Sequence, residues 1–191
     1  MIFHYAGKYD GDENSLPQKE HHPNAVQFKE AEDTKKFSLI ANWGCVLSMI
    51  LLAIPFLLLG IKHIPDNVIW MVIGGICGGF SILPHEMLHA ICYKKDVYMY
   101  SDFTHGLMFV VGTEDMSKNH FIFMCLCPNL FLGIIPYIIF LLFPKMVGLG
   151  LFGIICIGMG FGDYLNIYNA IKQMPKGSKT YLCGIHSYWY L

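Results

Sequence analysis

The sequence contains no arginine: all 13 basic residues are lysine, set against 14 acidic residues for a formal net charge of −1. Without the planar guanidinium fork, bidentate recognition of phosphates and base edges has no residue to carry it. The balanced charge offers no basic surface either, so nucleic acid is excluded as a partner. Charge of either sign is scarce. Only 14% of the 191 residues are charged and 54% are hydrophobic, whereas soluble domains carry about 25% charged residues. That shortage excludes soluble, disordered and coiled-coil classes and points to a chain solvated largely by a lipid bilayer. A CxxC pair, an internal repeat and a Ser/Pro linker are also missing. The 7 cysteines are an odd number, mostly set in apolar runs, where Cys packs as a small apolar residue and builds no disulfide framework.

The few charges are clustered, leaving four long stretches almost without them: residues 37–61, 67–93, 119–144 and 146–171. Each exceeds the roughly 20 residues that a helix needs to cross a hydrocarbon core about 30 Å thick. Four transmembrane helices are expected, and with them an all-α integral membrane protein. Between the second and third spans, residues 97–112 are rich in Val, Tyr and Phe around a Thr104-His105-Gly106 break. They predict either a small β-hairpin, able to hold an extended peptide at its edge, or an amphipathic surface loop. Residues 37–191 read as one domain and residues 1–36 as a polar tail, in which His21-His22 is a solvated pair. Eleven lysines, among them Lys8, Lys94, Lys95, Lys118 and Lys176, fall on one side of a four-span topology, and only Lys62 and Lys145 on the other. The positive-inside rule then makes a multi-pass protein of the cell membrane with both termini cytoplasmic, and no cleavable signal peptide is expected.

Ionisable groups inside lipid are expensive and usually mark a site. The acidic residues within the spans are Glu86 and Asp163, and the histidines well within one are His85 and His89. Three of these four make up His85-Glu86-Met87-Leu88-His89, an H-E-x-x-H motif. Two His four apart on a helix share a face and can bind one Zn²⁺, and the intervening Glu lies beside that face, where it can take a proton from water on the metal. The chance occurrence of such a motif in a chain of this composition is on the order of a few per cent. The competing interpretation is a buried His/Glu cluster that packs helices together.

A catalytic zinc needs a third protein ligand and an open position for water. Asp163 is the candidate by elimination, and depth supports it: His85 precedes Lys94 by the same nine residues that separate Asp163 from Lys172. At 1.5 Å per residue both lie about 13 Å from the cytoplasmic helix ends. The alternative is a packing carboxylate bonded to Asn166 or a Tyr hydroxyl. Pro84 can kink or restart the second helix directly before His85. The glycines Gly74, Gly75, Gly78 and Gly79, with Gly158, Gly160 and Gly162 on the fourth helix, favour close packing of those two helices.

These residues resemble a known family, the zincin peptidases, small bacterial membrane proteins related to site-2 proteases. The resemblance spans about residues 80–191 and rests on His85-Glu86-x-x-His89-Ala90, Pro128, Gly162-Asp163-x-x-Asn166 and Met174-Pro175-Lys176-Gly177 with its Tyr-rich sequel. It implies a zinc-dependent peptidase with one Zn²⁺ per chain, His85, His89 and Asp163 as ligands and Glu86 as base. It departs from the Asn-Pro-Asp-Gly motif of better-known site-2 proteases, since Tyr164-Leu165-Asn166 follows the Asp here.

The expected chemistry is hydrolysis of a peptide bond within or next to the bilayer, in a membrane-protein or peptide substrate. Asn166, one turn after Asp163, is the first candidate for the oxyanion donor, with His105 and Asn129 behind it and helix capping as the alternative for all three. The rival class is a non-proteolytic zinc sensor, carrier or inactive scaffold, which needs the ligands but not Glu86.

Overall fold

The structure is a computed structural model and describes residues 1–29, 34–102 and 107–191. The chain divides into two compact units, one formed by Met1–Ala31, Glu86–Cys125 and Leu165–Leu191, the other by Glu32–His85 and Leu126–Tyr164.

The first unit is built on two sheets. Strand β1 (Ile2–Lys8) runs parallel to β3 (Asp96–Asp102), which pairs antiparallel with β4 (Leu107–Val111), giving the order β1-β3-β4. The second sheet has the order β2-β7-β6-β5, from β2 (Val26–Gln27), β7 (His186–Tyr190), β6 (Lys179–Cys183) and β5 (Met116–Ser117). β6 and β7 form a hairpin in which Cys183 faces His186. Its two-residue loop begins at Gly184 with φ +61°, a conformation that costs glycine little. A core of Phe28, Ala90, Tyr93, Val97, Phe121 and Met174 holds the unit together.

The expected all-α class is therefore wrong: the described residues carry seven strands in two sheets alongside the helices. The hairpin foreseen between the second and third spans is present as β3 and β4, but it is one part of a larger β structure. Two of the seven strands are only two residues long, too short for an alternating pattern to register, and the polar N-terminal stretch expected as a tail supplies both β1 and β2. The Thr104-His105-Gly106 break lies outside the described residues.

The second unit is helical. Helix α1 (Thr34–Gly60) is followed by a 3-10 turn, Ile61–His63, and α2 (Ile64–Gly79). The first part of α3 (Ile82–Ile91), the end of α4 (Lys118–Pro128), a π-helical segment at Asn129–Ile134, α5 (Ile135–Leu142), α6 (Val147–Met159) and the start of α7 (Phe161–Gln173) complete it. Phe56, Tyr137, Phe140, Val147 and Ile154 form its core. The expected close packing of glycines is found between α2 and α6. A Cβ on Gly74 would overlap the Gly148 carbonyl, and one on Gly148 the Trp70 carbonyl, so Gly148 rather than the later glycines is the partner.

Two helical stretches, Ser38–Gly79 and Lys118–Leu142, are long and apolar enough to cross a membrane. A third candidate is α6 with α7, bent by 51° at their junction. The second expected span does not run through: α2 stops at Gly79 and α3 starts at Ile82, with Pro84 in its first turn. Pro84 thus marks a restart of the helix, as its position predicts.

Candidate metal centre

The restart of α3 begins with Ser81. Its hydroxyl donates to the Gly78 carbonyl at 2.7 Å, tying off the end of α2, and its own carbonyl accepts the His85 amide at 2.9 Å. Pro84 lacks an N–H, but at this depth in the first turn none is needed. The motif therefore occupies the interior of a short helix whose start is fixed by sequence-local hydrogen bonds.

On α3 the side chains of His85, Glu86 and His89 are buried, with exposures of 6%, 8% and 7%. Their ligand atoms all lie within 4.8 Å of one another, the one such cluster of three or more among the described residues. Helical geometry explains the grouping, since 100° per residue returns the side chain four positions later to the same face.

His89 is oriented by the backbone. Its Nδ1 lies 3.0 Å from the Met124 carbonyl. A carbonyl only accepts, so Nδ1 carries the hydrogen and the lone pair belongs to Nε2. A backbone carbonyl on one ring nitrogen, leaving the other as the basic one, is the usual support of a metal-binding histidine.

Asp163 sits in the first turn of α7, just beyond the bend at Gly160, with its side chain 13% exposed. Its Oδ2 lies 3.0 Å from His85 Nε2 and accepts from Asn129 Nδ2 at 2.8 Å. Asn129 is fully buried and opens the π-helical segment behind Pro128. Gly160 makes room for it, because a Cβ there would overlap the Asn129 amide.

Zinc fits the donors gathered on α3, and Asp163, which lies outside that cluster, meets it through His85. Two ligand atoms on one tetrahedral ion at about 2.0–2.1 Å stand about 3.3 Å apart. His85 Nε2 and Asp163 Oδ2 lie within a few tenths of an ångström of that edge at 3.0 Å. Imidazole and carboxylate are both ordinary zinc ligands, and a neutral His89 ring would offer Nε2.

The expected residues fall into three groups. His85, Glu86 and His89 are brought together on α3, and Asp163 reaches His85 at 3.0 Å. Asn166 is half-buried on α7, and the asparagine bonded to Asp163 is Asn129 instead. His105 lies outside the described residues. Sequence reasoning missed the Met124 carbonyl, which no side-chain pattern encodes. It noticed Asn129 only for its place beside Pro128.

A protein-family model described as "Putative zincin peptidase" matches residues 78–179, more than half of the chain and a range that contains His85, Glu86, His89, Asn129, Asp163 and Asn166. No curated protein and no solved structure matches the chain.

Proposed function

The chain belongs to this zincin peptidase family, and on that premise we propose that it is a site-2 protease-like membrane peptidase. His85, His89 and Asp163 hold one zinc ion and Glu86 serves as the base. The observation that carries this reading is the buried His85, Glu86 and His89 cluster on α3, in which the Met124 carbonyl leaves His89 Nε2 as the basic nitrogen. A helix-packing cluster has no need of a carboxylate beside two converging imidazoles.

Zinc, when bound, would supply a Lewis acid that lowers the pKa of bound water towards about 7 and polarises the scissile carbonyl. Glu86 takes the proton from the attacking water and passes it to the amine that leaves. Asn166 donates to the oxyanion from α7. The substrate is a membrane protein or peptide in extended form, and β4, at the edge of the order β1-β3-β4, has an edge to receive such a strand. Two helical stretches suited to crossing a membrane support a multi-pass location. The lysine distribution supports cytoplasmic termini.

Metal analysis and cleavage assays on the purified full chain test the reading, with casein and co-expressed single-span membrane proteins as substrates. Glu86→Gln should keep stoichiometric zinc and lose cleavage by about 10²- to 10⁴-fold. His85→Ala and Asp163→Ala should lose both. Zinc retained in full by Asp163→Ala would remove the third ligand, and parental cleavage by Glu86→Gln would remove the base. Zinc binding with no cleavage by the parent would favour a carrier or sensor.

A further inference from the structure

Asn129 is a fully buried polar side chain in an apolar helical run, and three features converge on it. It opens the π-helical segment Asn129–Ile134, a local unwinding frequently found at functional sites. Its Nδ2 donates to Asp163 Oδ2 at 2.8 Å. The carboxylate accepts, so chemistry fixes which way the amide points. At Gly160 the α6–α7 junction has no side chain, and a Cβ there would overlap the amide. Two helical segments are thus adapted to one hydrogen bond.

The alternatives for Asn129 do not fit. The cap position of the π segment is held by Pro128, so Asn129 does not occupy it. An oxyanion donor must reach substrate, and a residue with 0% exposure does not. What Asn129 does reach is Asp163.

We propose that Asn129 is a positioning residue, which holds the Asp163 carboxylate in the orientation that binds metal. This rests on the zinc reading given above. Asp163 Oδ2 has two donors here, His85 Nε2 and Asn129 Nδ2. A histidine must be a neutral lone-pair donor to bind metal, so ligation through Nε2 ends its hydrogen bond to Oδ2. The bond from Asn129 needs no such exchange and persists through metal loading. It keeps the carboxylate from swinging when its other partner is withdrawn.

The test uses the detergent-purified full chain, with zinc affinity measured by chelator competition, the visible spectrum of the Co²⁺-loaded protein, and melting of the metal-free protein. Asn129→Leu keeps the volume and removes the donor, while Gly160→Ala keeps the donor and pushes it aside. Both should bind zinc 10- to 100-fold more weakly, the usual effect of losing a group that orients a ligand. The Co²⁺ spectrum should change, and the metal-free protein should still melt cooperatively. Parental affinity and spectrum in both variants, with zinc lost in His85→Ala, would overturn the role of Asn129 and leave the zinc reading standing. A folded parent that binds no zinc would overturn both. Loss of cooperative melting in both metal-free variants would assign Asn129 to structure alone and overturn the proposal.

Discussion

A neutral imidazole has one lone pair, and in His89 it sits on Nε2 because Nδ1 donates to the Met124 carbonyl. Hydrogen bonds of this kind decide what a residue can do, and the same holds away from the candidate metal centre. Asp115 accepts from Lys19 Nζ at 2.7 Å and from His22 Nε2 at 3.0 Å. Partial burial pushes its carboxyl up, but the hydrogen bonds and charges of Lys19 and His22 outweigh this and hold it below the ordinary carboxylate range. A lowered folded value means that the bond stabilises fully above the unfolded value of about 3.9 and is lost as pH falls through the folded one. Amide exchange of residues 1–29, corrected for intrinsic rates, should therefore show protection that declines as pH falls below about 4. With Lys19 and Asp115 both partly exposed, the contribution is about 1 kcal/mol at most, or fivefold in protection. Asp115→Asn should lower protection at pH 7 by up to that factor and remove the acid-dependent decline. Unchanged exchange at pH 7 in that variant would show that the N-terminal stretch is held by other contacts.

At the scale of elements, the two ends of the glycine-rich part of α2 make opposite predictions. A Cβ on Gly74 meets the backbone of Gly148, which has nowhere to go, whereas one on Gly79 meets nothing within 4 Å. Gly74→Ala should destabilise the detergent-solubilised chain by about 1–3 kcal/mol, the cost of overpacking. Gly79→Ala should be neutral or stabilising by up to about 1 kcal/mol, through helix propensity. Thermal melting of the two variants decides this, and equal losses would mean that α2 and α6 do not pack through Gly74. The same contrast shows what was legible beforehand. The motif on α3 could be read because helical periodicity is local, and Pro84 announced the restart because it lacks an N–H. The bond from Asn129 to Asp163 joins residues 34 apart in the chain, and no periodicity links them. β1 pairs with a strand more than ninety residues downstream. Its polar, weakly alternating sequence therefore read as tail, and the fold class was missed.

For the whole molecule, the unit that holds both sheets gathers the N-terminus, the segment after α3 and the C-terminus. Lys8, Lys19, Lys29, Lys94, Lys95, Lys118, Lys172, Lys176 and Lys179 all belong to it, whereas Lys35, Lys36, Lys62 and Lys145 belong to the helical unit. The unit with the sheets thus holds nine of the eleven lysines that the positive-inside rule would place on one side. The stretch Ser38–Gly79 has 42 residues, about 63 Å of helix and twice a hydrocarbon core, so the 3-10 turn at Ile61–His63 divides it into two crossings on our reading. On the same reading Lys118–Leu142 would add a third crossing and the bent α6–α7 pair a fourth. An even number returns the chain to its starting side. Because the chain has no arginine, trypsin cuts only after lysine, and sealed membrane vesicles of either orientation report the topology directly. Inside-out vesicles should be cut at the exposed Lys29 and Lys176, and right-side-out vesicles at Lys62 or Lys145 alone. Cutting at Lys29 from one face and Lys176 from the other would require an odd number of crossings, and the bent pair would then dip into the membrane and return.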